Sequence, residues 1–342
     1  MLVLVTGGAG YIGSVVVREL LDNGFAVRVL DKCLFGDEGL NSVRSRIELI
    51  RGDINRFDSE WLENVSAVIH LAGLSNDPMA EFNPEANRRL NTEATAVLGE
   101  HCKSKGIKRF IFASSCSIYD KGLLAEDIIQ DEESPVEPRA AYAVSKYQAE
   151  LELKRLAGHD FCPTILRQGT VYGWSPRMRY DLVVNTFVKF AFEKGVLVVH
   201  NGGEMWRPLV DVSDVAKAYV ACLQADISIV GNQLFNISYK NYRILELAHW
   251  VRKVFRELGV DVEIEVEYGS AKGRSYRVST KKIERVLGFK PTVSVEDAVR
   301  IMVDKIRSGI TADFSNPRYY NIQWVEILTF AEQIIRMTGS IF

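Results

Sequence analysis

Tyr142 and Lys146 stand four residues apart in the stretch AAYAVSKYQAELEL, Ala140 to Leu153. On a helix that spacing puts both side chains on one face, with Cβ atoms about 5 to 6 Å apart. At about 4 Å and an effective dielectric of about 20, an ammonium attracts a phenolate by about 4 kcal/mol, or about three pKa units. From an ordinary value of about 10, the phenol is expected to move towards neutrality, with burial opposing part of the shift. A tyrosine tuned in this way can carry a proton at pH 7. Tyr268 and Lys272 have the same spacing, but they lie in EYGSAKG, which has no helical period, and are read as chance.

A second group of reactive side chains lies in FASSCSIYD, Phe112 to Asp120, where Ser114, Ser115, Cys116 and Ser117 follow an apolar run. Serines end strands because their hydroxyls bond to nearby backbone. A hydroxyl there can also hold a substrate. Cys116 has no histidine near it in sequence and reads as a small buried filler. His70, at the end of an apolar strand, reads as structural.

The third group is the glycine loop in LVLVTGGAGYIGSVVVREL, Leu2 to Leu20. Gly7, Gly10 and Gly13 give G-x-x-G-x-x-G, and Gly8, Gly10 and Gly13 also satisfy G-x-G-x-x-G. Glycines let the chain turn tightly, so that backbone N–H groups around Tyr11, Ile12 and Gly13 can approach a pyrophosphate favoured by the helix dipole. A loop that follows a strand, opens a helix and precedes an acid at the next strand end reads as a dinucleotide site. That acid is Asp31. Its carboxylate can accept both adenosine ribose hydroxyls and would repel a 2′-phosphate, which favours NAD over NADP; Lys32 beside it points the other way. Asp53 in RGDI, followed by Ile54, reads either as an adenine contact or as a turn residue.

These groups must be held by the elements around them. Short apolar runs at Leu2–Val5, Ala26–Leu30, Ile47–Ile50, Ala67–Leu71, Arg109–Phe112 and Pro163–Leu166 alternate with helical patterns over 12–23, 85–105 and 142–156. Continuous apolar strands alternating with helices imply a doubly wound parallel α/β sheet covered on both faces. After about Val171 the order loosens, with a helix over 212–224, a strand over 233–237 and a helical C-terminal third. The expected division is a dinucleotide domain over 1–175 plus about 209–240, and a smaller, interleaved substrate domain over about 176–208 and 241–342.

The bulk composition fits a soluble enzyme acting on small molecules. With 42 Lys+Arg against 44 Asp+Glu in 342 residues, the net charge of −2 offers no nucleic-acid footprint. No apolar window is long enough for a membrane span, and no secretory leader is evident, so a cytoplasmic protein is expected. Five cysteines without a C-x-x-C pair, and histidines without H-x-x-x-H spacing, predict neither a disulfide framework nor a metal site.

TGGAGYIG, HLAG, ASSCSIY and Tyr142-x-x-x-Lys146, in this order, resemble the extended short-chain dehydrogenase/reductase family, specifically its NAD-dependent nucleotide-sugar epimerases and dehydratases. LRQGTVYG, RPLVDVSDVAKAY and GRSYRVSTKKIERVLGFKP carry the likeness over nearly the whole chain. The resemblance implies a Rossmann-like fold, NAD as cofactor, a UDP-glucose 4-epimerase-like activity and a homodimer formed through helices near 85–105 and 142–156. It also implies that Leu71, Ala72 and Gly73 line the cofactor site, that Lys146 bonds the nicotinamide ribose, and that Ser115 assists Tyr142 at a sugar hydroxyl. Ser75, Ser117, Thr170, Arg179, Asn185, Arg207 and Arg274 are the implied substrate contacts, with Arg207 and Arg274 on the diphosphate and Asn185 near the base.

In the family's 4,6-dehydratases, the two positions after the catalytic threonine carry Asp and Glu. Here they are Cys116 and Ser117, which cannot replace a carboxylate pair. Epimerisation needs only the cofactor and one tyrosine, so a C4 epimerase working through a transient 4-keto sugar is the expected activity. Two positions depart from the family pattern on the sugar side: Thr170 stands where galactose-type epimerases commonly carry Asn, and Ile118-Tyr119-Asp120 replaces VYG. The rivals are another reaction on the same scaffold (dehydration, decarboxylation or ketoreduction) and a non-catalytic NAD-sensing protein, which would typically have lost the tyrosine or the lysine.

Overall fold

The computed structural model describes residues 1–120, 128–269 and 274–340; Lys272 lies outside them. Strands Leu2–Thr6 (β1), Ala26–Asp31 (β2), Ile47–Arg51 (β3), Ala67–His70 (β4), Arg109–Ser115 (β5), Cys162–Gln168 (β6) and Leu234–Ile237 (β7) form one seven-stranded sheet. Its order is β7-β6-β5-β4-β1-β2-β3, and every neighbouring pair is parallel. The order reverses between β1 and β4, and ligands of such sheets bind at that crevice, outside the strands' carboxyl ends.

The apolar strands are continuous because both sheet faces are covered. Val3, Leu4 and Val5 in β1 and all four residues of β4 are buried. Helix Gly13–Asp22 (α1) turns Val16, Val17 and Leu20 onto one face, with helix Val212–Gln224 packed beside it. The other face carries helices Ala94–Ser104 (α2) and Ala141–Leu156 (α3). These bury Leu98, Cys102, Ala149 and Leu153 against Phe110, Phe112 and Phe161. Full burial of one such aliphatic or aromatic side chain is worth about 1.5–3 kcal/mol.

The region expected as one helix over 85–105 is broken. A short helix Pro84–Asn87 runs into a wide π-type turn, Arg88–Glu93, before α2 begins. Such turns are concentrated at functional sites, and this one carries Asn91.

The late chain returns repeatedly to the middle. Trp206–Asp211 pairs with Thr170–Tyr172 and Lys240–Arg243, Glu263–Val266 pairs with Val196–Val199, and Arg277–Val278 pairs with Ile129–Gln130. The short strands at 263–266 and 277–278 fall where the sequence reads as helical. The C-terminal helix, Asn321–Thr338, packs near helix Asp77–Phe82, beside the crevice. No helix among the described residues is long and apolar enough to cross a membrane.

Candidate active site

The turn from β1 into α1 is a backbone cradle. Gly7 has φ of 73°, and a Cβ there would lie 2.7 Å from the Ala72 nitrogen. At Gly13 a Cβ would lie 2.1 Å from the Gly7 carbonyl oxygen, and at Gly10 3.2 Å from the same atom. Helix α1 starts at Gly13 after Ile12 with no side-chain cap; the Ser14 and Val15 N–H groups bond to the Gly10 and Ile12 carbonyls at 2.9 and 3.1 Å, and the positive end of the helix dipole favours an anion at the loop before them. Tyr11 turns its ring away from this cradle, donating from its phenol to the Gly173 carbonyl at 2.7 Å; only its backbone belongs to the loop.

Asp31 ties the cradle to the end of β2. One carboxylate oxygen accepts the Ala9 N–H at 2.9 Å and the other the Cys33 N–H at 2.7 Å. Burial pushes its pKa up and these two bonds oppose the rise. Lys32 pairs with Asp53 at 3.0 Å, so its charge is already matched. Asp53 also caps the turn Ile54–Arg56 by accepting the Asn55 N–H at 2.9 Å, and Ile54 is buried. Of the two readings of Asp53, the turn residue describes its bonds. Burial pushes the Asp53 carboxyl up, but the Asn55 bond and Lys32 outweigh it, and the group sits below the usual carboxylate range.

The far end of the crevice lies past β4. The Leu71 N–H donates to the Thr6 carbonyl at 3.0 Å and the Ala72 N–H to the Thr6 hydroxyl at 3.3 Å, which fixes the strand exit. A Cβ at Gly73 would lie 2.2 Å from Asn91 Oδ1 and 3.8 Å from Lys146 Nζ. Lys146 is 4% exposed. Among the described residues its ammonium has no hydrogen bond or ion pair, only the Phe112 ring 4.9 Å away. Burial pushes its pKa down to about 8, with Glu150 one turn along acting in the opposite sense. Asn91 Oδ1 is also buried without a partner, while its amide donates to the Leu74 carbonyl at 3.1 Å and to Asn87 Oδ1 at 2.8 Å. Buried polar groups are normally paired. A cation and an unpaired acceptor beside the same glycine fit the hydroxyls of a bound ribose.

Tyr142 sits in the first turn of α3, half-buried, with the Ser115 hydroxyl in hydrogen-bonding reach. Ser115 also caps the turn Cys116–Tyr119, its hydroxyl accepting the Ser117 N–H at 3.1 Å and donating to Ser117 Oγ at 2.9 Å. The strand-ending reading of the serine cluster describes these bonds, and the same hydroxyl is the one that reaches Tyr142. The expected pull of Lys146 on the phenol is not found. Burial first, then the charge of Asp77, pushes the Tyr142 pKa up to about 12, while Arg179, Arg274 and Ser115 act downward. The four-residue spacing fixes a shared helix face, but burial costs phenolate and ammonium alike and displaces both pKa values away from each other.

Beneath the site Ser114 donates to Glu150 at 2.5 Å, and Glu150 accepts two bonds from Arg167 at 2.9 and 2.6 Å. Arg167 also donates to the Tyr119 phenol at 2.7 Å, and the Cys116 thiol donates to the Arg167 carbonyl at 3.1 Å. Burial pushes the Cys116 thiol far up, so it remains a neutral filler. His70 is bracketed by the Thr6 and Thr95 hydroxyls at 2.6 and 2.9 Å, and burial pushes it down to about 3. It is structural.

The predicted substrate contacts divide into two groups. Arg207 donates to the carbonyls of Trp206 and Arg274, and Arg274 pairs with Asp77 at 2.8 Å, so the two arginines are brought together. Arg179 forks onto Asp181 at 2.8 and 3.0 Å and reaches Ser75 at 3.3 Å. Thr170 lies on the strand Thr170–Tyr172, paired with Leu209, and Ser117 is 2% exposed behind Ser115. Asn185 is corrected. It is fully buried, donates to the Tyr11 phenol and the Arg179 carbonyl at 3.2 and 2.9 Å, and accepts the Gly173 N–H at 3.0 Å. It brackets the backbone that carries Arg179. Asp77 and Asn91 were not singled out from the sequence. Asp77 ends the polar run SND just before a proline, a common helix start, and Asn91 owes its place to the π-type turn.

A model of the NAD dependent epimerase/dehydratase family matches residues 3–238. The chain belongs to that family. It is 28% identical to a putative UDP-glucose 4-epimerase of Methanocaldococcus jannaschii, over 90% of this chain and 99% of that one. It is 26% identical to the dTDP-D-glucose 4,6-dehydratase of Mus musculus, over 90% and 89%. Among solved structures, MoeE5 in complex with UDP-glucuronic acid and NAD superposes with a TM-score of 0.76 at 27% identity, covering 90% of this chain and 99% of that one. The cofactor of the family is NAD, and the cradle at Gly7–Gly13, Asp31, Asn91 and Lys146 fit it. Its relatives include both epimerases and dehydratases.

Proposed function

We propose that this protein is a nucleotide-sugar 4-epimerase that inverts an NDP-hexose through a transient 4-keto sugar. NAD, when bound, supplies reversible two-electron chemistry at the sugar carbon. Tyr142 carries the proton of the C4 hydroxyl, taking it as the carbonyl forms and returning it after the ketose has turned over. Ser115 steers that hydroxyl and, with Arg179 and Arg274, draws the phenol pKa down from where burial puts it. Lys146 anchors the cofactor ribose beside Gly73. Arg207 and Arg274 meet the diphosphate, since guanidinium groups fork well onto such oxygens, and Thr170 and Ser75 border the sugar.

One observation carries the choice of epimerisation: the turn after Ser115 holds a neutral buried thiol and a buried hydroxyl, Cys116 and Ser117, and no acid. The division into a dinucleotide domain and an interleaved substrate domain belongs to this reading. So does a homodimer through α2 and α3, supported by exposed Val97 and Leu151 on those helices. The test is incubation with UDP-, GDP- and dTDP-hexoses, followed by NMR of the sugar together with absorbance of NADH. The reading requires inversion at C4 with no net NADH, and accumulation of NADH contradicts it.

A second reading rests on Asp77. Its Oδ1 is buried without a partner, and burial, ahead of the opposing Arg274, pushes its carboxyl up. A carboxyl whose charge reaches Tyr142 can exchange a proton with a substrate held there, so elimination of water by a different residue set is the alternative; a keto-deoxy product in the same NMR experiment would mark it.

A further inference from the structure

The C-terminal segment closes on the crevice from outside the sheet, and it touches both ends of it. At the centre is Asn321, 4% exposed. Its amide donates to the Ser75 hydroxyl at 2.7 Å, its carbonyl oxygen accepts from Arg177 at 2.6 Å, and its backbone N–H donates to Asp181 at 3.1 Å. Ser75 and Asp181 are the two partners of Arg179. One asparagine therefore sets the residues on the substrate side of the crevice.

The same segment grips the loop that follows Asp31. The Trp324 indole N–H donates to the Leu34 carbonyl at 2.5 Å, and Arg318 donates to Glu38 at 2.7 Å. Arg177, held by Asn321, lies over the Phe35 ring with its guanidinium carbon 4.1 Å from the centroid. Arg177 is 6% exposed and its Nε is buried without a partner, close enough to Asp31 for their charges to interact. The loop is thus bound on its outer side by Trp324 and Arg318, nearly 300 positions away in sequence, while Asp31 at its start is held by the Ala9 N–H.

We infer that residues 316–338 form a strap across the cofactor crevice, with Asn321 as its positioning residue, and that the strap slows the escape of bound NAD. A dinucleotide lying between Asp31 and Lys146 leaves only when the loop 32–38 opens. That opening has to break the Trp324, Arg318 and Arg177 contacts together. The inference needs NAD alone and goes beyond the sugar reaction proposed above. Release is read without turnover, so failure of the epimerase reading leaves its test intact.

The test is the rate at which NAD leaves the loaded full-length protein on dilution into excess protein-free chase, followed by filtration and quantitation of retained cofactor. Two variants are compared with the unaltered chain: Asn321→Ala, and the more exposed double change Arg318→Gln with Trp324→Phe. The strap requires release at least about tenfold faster in each variant that folds, a change equivalent to about 1.4 kcal/mol. The melting temperature of the NAD-free protein should stay within about 2 °C for the double change, which separates a role in retention from a general loss of packing. Release within twofold of the unaltered protein in the double variant overturns the inference, whether or not Asn321→Ala folds.

Discussion

The Gly13 Cα lies so close to the Gly7 carbonyl that a methyl group at Gly13 would be 2.1 Å from that oxygen. The atom in the way is backbone, and Gly7 has little room of its own, since even a Cβ there would lie 2.7 Å from the Ala72 nitrogen. Gly13→Ala should therefore deform the cradle, weakening NAD binding by at least about tenfold and costing about 1–3 kcal/mol of stability from overpacking. Calorimetric titration with NAD and denaturant unfolding check both effects.

Tyr142→Phe keeps the ring and removes only the proton carrier. Turnover should fall by about 10²–10⁴, the usual worth of general acid–base catalysis, while NAD binding stays within about twofold. Single-turnover rates and cofactor titration are the measurements.

Asp77 separates the two readings of the reaction. Its negative charge raises the Tyr142 pKa, so Asp77→Asn should stabilise the phenolate and move the basic-form limb of the kcat/KM profile to lower pH. The epimerase reading requires an active variant with the shifted limb. Loss of all activity with substrate binding intact would favour Asp77 as an acid in its own right.

Lys146 destabilises the empty protein. Its folded pKa is lowered to about 8 from 10.5, so between those values the unfolded chain binds more protons and stability rises with pH. The penalty is full below about pH 8 and is relieved towards pH 10.5. Lys146→Met should stabilise NAD-free protein at pH 7 by about 1–3 kcal/mol, and the gain should shrink by pH 10. Urea unfolding at the two pH values tests the sign.

Much of the site's framework could be read from local sequence. Gly7, Gly10, Gly13 and Asp31 depend on one strand–turn–helix unit, and their roles follow from short-range sterics. Ser115 and Tyr142 lie at the ends of β5 and at the start of α3, where apolar periodicity gives the element boundaries to within a few residues. What could not be read depends on contacts distant in sequence. Asn185 looks like a polar substrate contact but is consumed by Tyr11, Gly173 and Arg179. The charge of Lys32 is cancelled by Asp53 across a strand. Asn321 sits in a helix whose pattern gives no hint that its first residue reaches Ser75, 246 positions back. The Tyr142 pKa failed for a different reason: spacing gives distance, but only the fold gives burial.

The central claim is that hydrogen removed from C4 returns to C4. Incubating an accepted NDP-hexose carrying deuterium at C4 with the NAD-loaded protein, and locating the label by NMR, tests it most directly. The account predicts inverted sugar with deuterium retained at C4. Label found at C6 of a keto-deoxy product would contradict it.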